Sequence, residues 1–472
     1  MARTTSARES WSTSGPTLQL PLAAGAPRRE AIEAGLRAAI RDGRLAAGTR
    51  LPSTRALAAD LGVARGTVSE AYAQLLAEGH LTARRGSGTW VADVAPADAR
   101  PRAPVAPARR GRYAFHPGLP DLSAFPRSAW LRALRRGLAR MPPAAFEYGD
   151  PRGRPELREA LADYLGRARG AIADPELIVV CSGFRHGLSL LLRAVRAGGG
   201  RRIVLEDPCV DDHRVVAAAA GLEIVPVPAD GHGARTDLLA ATNAAAAVLG
   251  PAHQFPLGAV LSPERRTQAA AWARTGALVI EDDYDGELRF DRHPVGALQA
   301  LAPDHVAYGG TASKTLAPGL RIGWLVVPPA LLEQVVALRR AEDLHVPVLD
   351  QIALGELITS GAYERHIRRM RIRYRARRDR LVAMLAERAP DVRAVGIAAG
   401  LRVLLELPPD GPPAAELVRR ARRRSVELWS VGAYHHDPAT ATHGLVVGYG
   451  ALAEHDYEAA LRALGDVLAT LG

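Results

Sequence analysis

Residues 93–112 are built almost wholly from Ala, Pro and Arg, with two valines as the only sizeable apolar side chains. Such a stretch cannot bury a core and reads as a semi-extended tether. Whatever folds before it must fold separately from whatever follows, and a length of 472 residues already exceeds one hydrophobic core. Apolar residues make up 48% and charged residues 24%, the balance of a globular protein. No uninterrupted apolar run approaches the roughly 18 residues of a membrane helix, and residues 1–15 lack the apolar core of a signal segment. Two cysteines, Cys181 and Cys209, make neither a disulfide framework nor a metal cluster, so no metal site is expected. The expectation is a soluble protein of a reducing cytoplasm.

The net charge of +11 is unevenly spread. Residues 1–112 hold 17 Arg against 9 acidic residues, a net of +8, which leaves +3 for residues 113–472. Concentrated positive charge favours a polyanion, because each neutralised phosphate releases condensed counterions. Of 61 basic residues, 60 are Arg and one is Lys314. Against that bias a lone lysine needs a chemical reason, since only a primary amine condenses with a carbonyl and guanidinium does not.

Residues 26–92 carry the pattern of one small unit. Ala31, Ile32, Leu36, Ala39 and Ile40 recur at helical spacing until Asp42-Gly43. Ser53 can cap a helix over 54–60, Gly62 breaks it, and a second helix over 65–78 turns Val68, Tyr72, Leu75 and Leu76 inward. Two β-patterned stretches, 80–83 and 89–92, flank the turn 84–88. Helix, short turn, helix and hairpin describe a winged helix-turn-helix. A small basic α+β domain without a nucleic-acid role fits the same pattern.

From Tyr113 onward, apolar β-type segments at 177–181, 202–206, 222–227, 246–249, 277–281, 305–309 and 322–327 alternate with helical stretches such as 155–169 and 186–197. This predicts an α/β sandwich around a largely parallel sheet, with ligands at the carboxyl ends of its strands. A long Arg-rich helix over 363–389, whose charge reads as a solvated face, opens a smaller α+β unit over about 365–472.

Four features sit at strand ends. Ser182, Gly183 and Phe184 lie between a strand and a helix, where free N–H groups and the helix dipole suit an anion. Glu281-Asp282-Asp283-Tyr284-Asp285 offers a carboxylate for a protonated ring nitrogen and a phenol for a ring hydroxyl; a solvated acidic turn is the plain alternative. Thr311 and Ser313 set hydroxyls beside Lys314, and Arg321 adds a charge-assisted fork. An imine-forming amine, an acid, a phenol and a phosphate cup together are what pyridoxal 5′-phosphate (PLP) requires.

The segment AIRDGRLAAGTRLPSTRALAADLGVARGTVSEAYAQLLAEGHLTARRGSGTWV resembles the GntR-family winged helix. FHPGLPDLSAFP, YGDPRGRPELREALADYLGRARG, PAHQFPLG, EDDYDGELRF and GGTASKTLAPGLRIGW resemble a fold-type I aminotransferase, specifically the MocR subgroup in which both modules share a chain. The resemblance implies an N-terminal winged helix-turn-helix at 26–92, a linker, and a PLP-dependent α/β unit at 113–472 with a large α/β/α domain and a small α+β C-terminal domain. It implies Lys314 as the Schiff-base lysine and Asp282 as the pyridine-nitrogen partner, with Asp283 as a register alternative. It gives Tyr284 to the ring hydroxyl, and Ser182, Gly183, Thr311, Ser313 and Arg321 to the phosphate. Phe184 joins that cofactor set, and Tyr148 resembles the tyrosine that reaches a neighbouring subunit's phosphate, which implies a homodimer. His253 and Gln254 stand near the place of an aminotransferase Asn. In the first module Arg55, Arg65, Thr67 and Ser69, with Arg85 and Gly86 on the wing, match the family's contacts to double-stranded DNA.

Three departures bear on function. The family's Gly-Tyr after Glu206-Asp207-Pro208 is Cys209-Val210 here. An effector-binding Arg is not aligned, because Asp211, Asp212 and His213 precede Arg214. Leu445-Val446-Val447-Gly448-Tyr449 lacks the Arg that aminotransferases use for a substrate carboxylate. The expectation is a PLP-binding transcriptional regulator sensing PLP itself, an amine or an amino acid through a vestigial aminotransferase domain. An active aminotransferase with a passenger DNA-binding domain, and a regulator whose pocket no longer holds PLP, are the competing readings.

Overall fold

The computed structural model describes residues 27–84, 88–93, 111–290, 295–440 and 443–469. Arg85 and Gly86 lie outside the described residues. The chain divides after residue 108 into two compact units.

In the first unit, α1 (Arg28–Arg41), α2 (Thr54–Leu61) and α3 (Arg65–Ala77) precede the antiparallel pair β1 (Leu81–Arg84) and β2 (Gly88–Val91). The Ser53 hydroxyl accepts the Ala56 N–H at 3.2 Å and starts α2. Gly62, at φ 62°, ends it in the left-handed conformation that favours glycine, so α3 can begin three residues later. Ile32, Leu36, Leu57, Val68, Tyr72 and Leu75 close one core between the helices. Leu75 is completely buried, and Arg65, at the first position of α3, is exposed.

In the second unit β3 (Tyr113–Ala114), α4 (Arg127–Arg140) and α5 (Pro155–Arg169) precede the large sheet. Its strands are β4 (Ile178–Cys181), β5 (Arg202–Asp207), β6 (Glu223–Asp230), β7 (Gly233–Ala234), β8 (Ala246–Leu249), β9 (Leu278–Asp283), β10 (Val306–Thr311) and β11 (Gly323–Val326). Their order is β4-β11-β10-β9-β8-β5-β6-β7. The run from β10 to β6 is parallel, while β11 is antiparallel to both its neighbours. The helices α6 (Phe184–Ala197), α7 (Asp211–Ala219), α8 (Pro263–Ala273), α9 (Pro329–Glu342) and α10 (Val348–Thr359) cover it. Alternate residues of each strand feed opposite layers: Ile203, Leu205 and Ile280 pack with Leu188 and Leu191 of α6, while Val204 and Val279 pack with Ala269 and Ala273 of α8. Both faces are therefore buried, as a parallel sheet requires.

The chain then runs through α11 (Ala362–Arg388) into a four-stranded antiparallel sheet of β12 (Arg393–Val395), β13 (Arg402–Glu406), β16 (Gly444–Gly448) and β15 (Trp429–Ser430). Helices α12 (Ala414–Arg423) and α13 (Glu454–Leu468) pack on it, and β14 (Val426–Glu427) pairs in parallel with β3. One continuous core links Leu161 of α5 and Trp324 of β11 to Leu405 and Leu464.

Two sequence expectations change. The sequence pattern ends the strand at Glu281, but β9 continues to Asp283, so Asp282 and Asp283 are strand residues too and the three acidic side chains fall on alternating faces. The charge of α11 reads in the sequence as a solvated face, yet Arg377 is fully buried and donates to Asp121 and Glu454 at 2.9 Å each. Part of that charge is structural ion pairing.

Candidate functional site

The carboxyl ends of β9 and β10, the N-terminus of α6 and the small sheet surround a cavity of about 460 Å³. Seven of the expected residues line it: Phe184, Asp282, Tyr284, Thr311, Ser313, Lys314 and Arg321. They converge because parallel strands end on one side of the sheet, where their following loops meet.

Lys314 follows β10, and its Nζ donates to the Gly118 carbonyl at 2.7 Å. Burial lowers its pKa from the ordinary 10.5, and the carboxylates of Asp285 and Asp282 oppose that shift. The pleat of β9 puts Asp282, and not Asp283, on the cavity wall. Asp282 points to the α6–α7 side, where its Oδ2 lies 3.2 Å from His213 Nε2 and its buried Oδ1 has no hydrogen-bond partner. Asp283 points the other way and pairs with buried Arg169 at 2.6 Å.

The residues expected around a phosphate are tied together by hydrogen bonds. Thr311 Oγ1 donates to Ser313 Oγ at 2.9 Å and accepts the Ser313 N–H at 3.2 Å. Gly183, at φ 82°, sits under the Arg321 guanidinium, and a Cβ there would lie 3.0 Å from Arg321 Nη1. Only glycine lets α6 begin this close to a guanidinium. Arg321 also donates to the Ser182 carbonyl.

Four expected residues stand elsewhere. The Ser182 hydroxyl faces Asp343 at 3.5 Å, and Ser182 and Gly183 lie behind Arg321 rather than on the cavity wall. His253 is buried behind Tyr284, its Nδ1 2.9 Å from Asp285 Oδ2; burial lowers its pKa against the pull of Asp285. The Tyr284 hydroxyl donates to the His253 carbonyl at 2.7 Å. From that segment Phe255, not His253 or Gln254, faces the cavity. Tyr148 is 91% exposed and touches no part of this chain's cavity.

Sequence reasoning missed His116, His213, Phe255, Asp285, Arg402 and Tyr434, all on the wall. Arg402 is the most consequential. It comes from β13, opposite Gly448 of the strand that lacks the expected Arg. Its guanidinium stacks 4.3 Å from the Phe255 ring centre and 5.3 Å from that of Tyr284, donates to the Gln254 carbonyl and approaches Asp285 at 3.6 Å. Val210 lines the cavity where the family places Tyr, and the Arg214 guanidinium is occupied by Asp211 and the carbonyls of Ala433 and Tyr434.

In the first unit Arg55 and Arg65 are exposed, and Thr67 and Ser69 are half-buried on the first turns of α3. Arg50 and Arg84 flank the Trp90 ring at 5.8 and 5.5 Å, holding two cations on the base of the wing.

Comparison with known proteins agrees with this division. Residues 28–91 match the family of bacterial regulatory proteins called gntR, and residues 119–450 match aminotransferase class I and II. The chain is 36% identical to the probable rhizopine catabolism regulatory protein MocR of Rhizobium meliloti, over 78% of this chain and 79% of that one. It is 33% identical to the pyridoxine biosynthesis regulator PdxR of Corynebacterium glutamicum, over 92% and 94%. Among solved structures, the α-aminoadipate aminotransferase LysN of Thermus thermophilus aligns with a TM-score of 0.67 at 27% identity, covering 76% of this chain and 92% of that one. The aminotransferase class I and II fold is that of PLP-dependent proteins. The gntR match implies DNA binding, and among the described residues no helix is long and apolar enough to cross a membrane. The chain therefore belongs to the MocR-type transcriptional regulators, which join a GntR-family winged helix and an aminotransferase-like domain in one polypeptide.

Proposed function

We propose that this regulator binds PLP in the cavity around Lys314 and uses its occupancy, by PLP alone or with an amine or amino acid, to control how its winged helix engages an operator. The observation that carries the reading is the meeting, in one cavity, of the chain's only lysine with Asp282 and with the Thr311–Ser313–Arg321 cup. The orphaned Oδ1 of Asp282 fits a ring N–H donor, and Gly183 leaves Arg321 room to face a phosphate. When bound, PLP supplies an aldehyde that condenses with amines and a pyridine ring that withdraws electrons.

The chain's own residues then have separable tasks. Lys314 presents an amine whose neutral form is favoured by burial. Asp282, held by His213, would accept a hydrogen bond from a protonated ring nitrogen. Thr311, Ser313 and Arg321 hold the phosphate, while Phe184 and Val210 give an apolar wall. Tyr148, so exposed in one chain, is assigned to a partner subunit's cup in a homodimer. The name of the Corynebacterium relative, a pyridoxine biosynthesis regulator, supports PLP itself as one effector. Arg402 favours a second reading, residual amino-acid turnover, because it adds a guanidinium beyond Arg321 to a cavity expected to lack an Arg for a substrate carboxylate. Half-reaction spectra with a panel of amino acids separate the two: loss of the cofactor's aldehyde form with keto-acid release supports turnover, and a stable spectral shift supports sensing.

On the DNA side, Arg65 and Thr67 at the start of α3 are assigned to base edges, and Arg55 to backbone phosphate. Arg65→Ala is expected to cost about 1–3 kcal/mol for the operator and to narrow the gap from unrelated sequence. Anisotropy titrations of the region upstream of the coding sequence, against a scrambled duplex, measure this. Equal losses on both duplexes would remove Arg65 from base readout.

A further inference from the structure

α11 is 27 residues long, about 40 Å, and carries ten Arg against Glu364, Asp379 and Glu387. Its net of +7 exceeds the +3 of the whole of residues 113–472, so positive charge is segregated onto this helix. Apart from half-buried Arg378, its arginines fall into two sets. Arg373, Arg377, Arg380 and Arg388 are held by Asp121, Glu454, Glu458 and Asp466, and Arg371 donates to the Glu287 carbonyl. Arg365, Arg368, Arg369 and Arg375 are exposed and have no acidic partner among the described residues; Arg365 reaches only the Ser360 carbonyl. Helical spacing sets these four on one face around Ile372, which is 73% exposed.

Like charges three and four residues apart repel, so this ridge costs the free chain stability. A polyanion would remove that cost. The ridge extends about 15 Å, and duplex DNA offers one negative charge per roughly 1.7 Å of axis. An acidic protein would also answer the charge, but this chain already carries a DNA-reading family module that brings a duplex to the same molecule.

We infer that the Arg365–Arg368–Arg369–Arg375 ridge is a second, sequence-independent contact to the duplex backbone, made alongside operator reading by the winged helix. The inference rests on the DNA-binding function proposed for this chain. The test uses the full chain and a long fluorescein-labelled duplex from upstream of its coding sequence, with affinity measured across a series of KCl concentrations. Replacing all four with Ala should weaken binding and flatten the salt dependence by about 0.9 in log–log slope for each phosphate no longer neutralised. Circular dichroism should stay unchanged and the unfolding midpoint should hold or rise as the repulsion is relieved, and the pair Arg368→Gln with Arg369→Gln gives the same readout if the fourfold variant folds poorly. Binding to a scrambled duplex should weaken as much as binding to the natural one, because the phosphate backbone carries no sequence. An unchanged slope in a folded variant overturns the ridge while leaving the winged-helix reading intact. Absence of duplex binding by the unaltered protein overturns both.

Discussion

Lys314→Ala protein, incubated with PLP and then borohydride, should carry no reduced covalent adduct, whereas the unaltered chain should carry one on a single peptide. Lys314 is the chain's only lysine, so no neighbouring ε-amine can take its place. Lys314→Arg should fail equally, because it restores the charge but not a primary amine. That pair of variants separates chemistry from electrostatics, and mass spectrometry of the borohydride-treated peptides reads both. An adduct persisting in both variants would remove Lys314 from its assigned role. The pH dependence follows from the cavity. Burial lowers the Lys314 pKa, so labelling should rise with pH at a midpoint below 10.5. Asp285 and Asp282 each push that pKa up, so Asp285→Asn should move the midpoint lower still. A midpoint that rises in Asp285→Asn would contradict the placement of that carboxylate beside the amine.

The fold was legible where periodicity carried it. The expected segments at 177–181, 202–206 and 246–249 are strands within a residue or so of their expected ends, because strands buried on both faces read as short apolar runs. The expected helix over 155–169 is α5 itself, opened by Pro155 and closed by Gly170 in the left-handed conformation. The last two residues of β9 were not legible, because Asp282 and Asp283 are acidic and resemble a turn; pairing with Gly309 and Gly310 of β10 and the buried partner of Asp283 keep that backbone extended. The site divides in the same way. Residues in contiguous runs, such as Thr311, Ser313 and Lys314, could be found from spacing. Arg402, His213 and Phe255 could not, since they reach the cavity from distant segments and only the tertiary fold brings them there. Arg402 in particular restores a cation to a wall from which the missing Arg of β16 had removed one. Its strand neighbour, not its own sequence context, reveals its place.

Arg169→Leu should be the most damaging single change away from the cavity, costing about 3–5 kcal/mol near pH 8. Behind β9, on the side opposite Asp282, Arg169 Nε donates to Asp283 Oδ2 at 2.6 Å, and the Tyr308 hydroxyl donates to the same oxygen at 2.8 Å. Glu281 and Glu287 are buried nearby, Glu281 accepting the Leu298 and Gln299 N–H groups at 2.9 Å each. Burial pushes both glutamates up to about 7, with Asp283 adding to the rise. Raised carboxyl pKa values mean that the folded state holds more protons than the unfolded one between about pH 4.5 and 7. The stability they contribute is present in full at the acidic end of that window and is lost as pH rises through 7. Removing Arg169 takes away the cation beside Asp283 and Glu287, so its cost should shrink on acidification, when Glu287 is neutral. Urea midpoints at pH 5 and pH 8 measure this: a larger loss for Arg169→Leu at pH 8 is expected, and an equal loss at both would mean that the guanidinium contributes packing alone. Glu287→Gln should flatten the pH dependence of the unaltered protein in the same window, because it fixes one of these sites in its neutral form. The consequence reaches the cavity through the strand itself. Asp282 is held between Glu281 and Asp283 on one backbone, so loosening their side of the sheet should weaken PLP retention even though none of the three groups behind β9 touches the cavity.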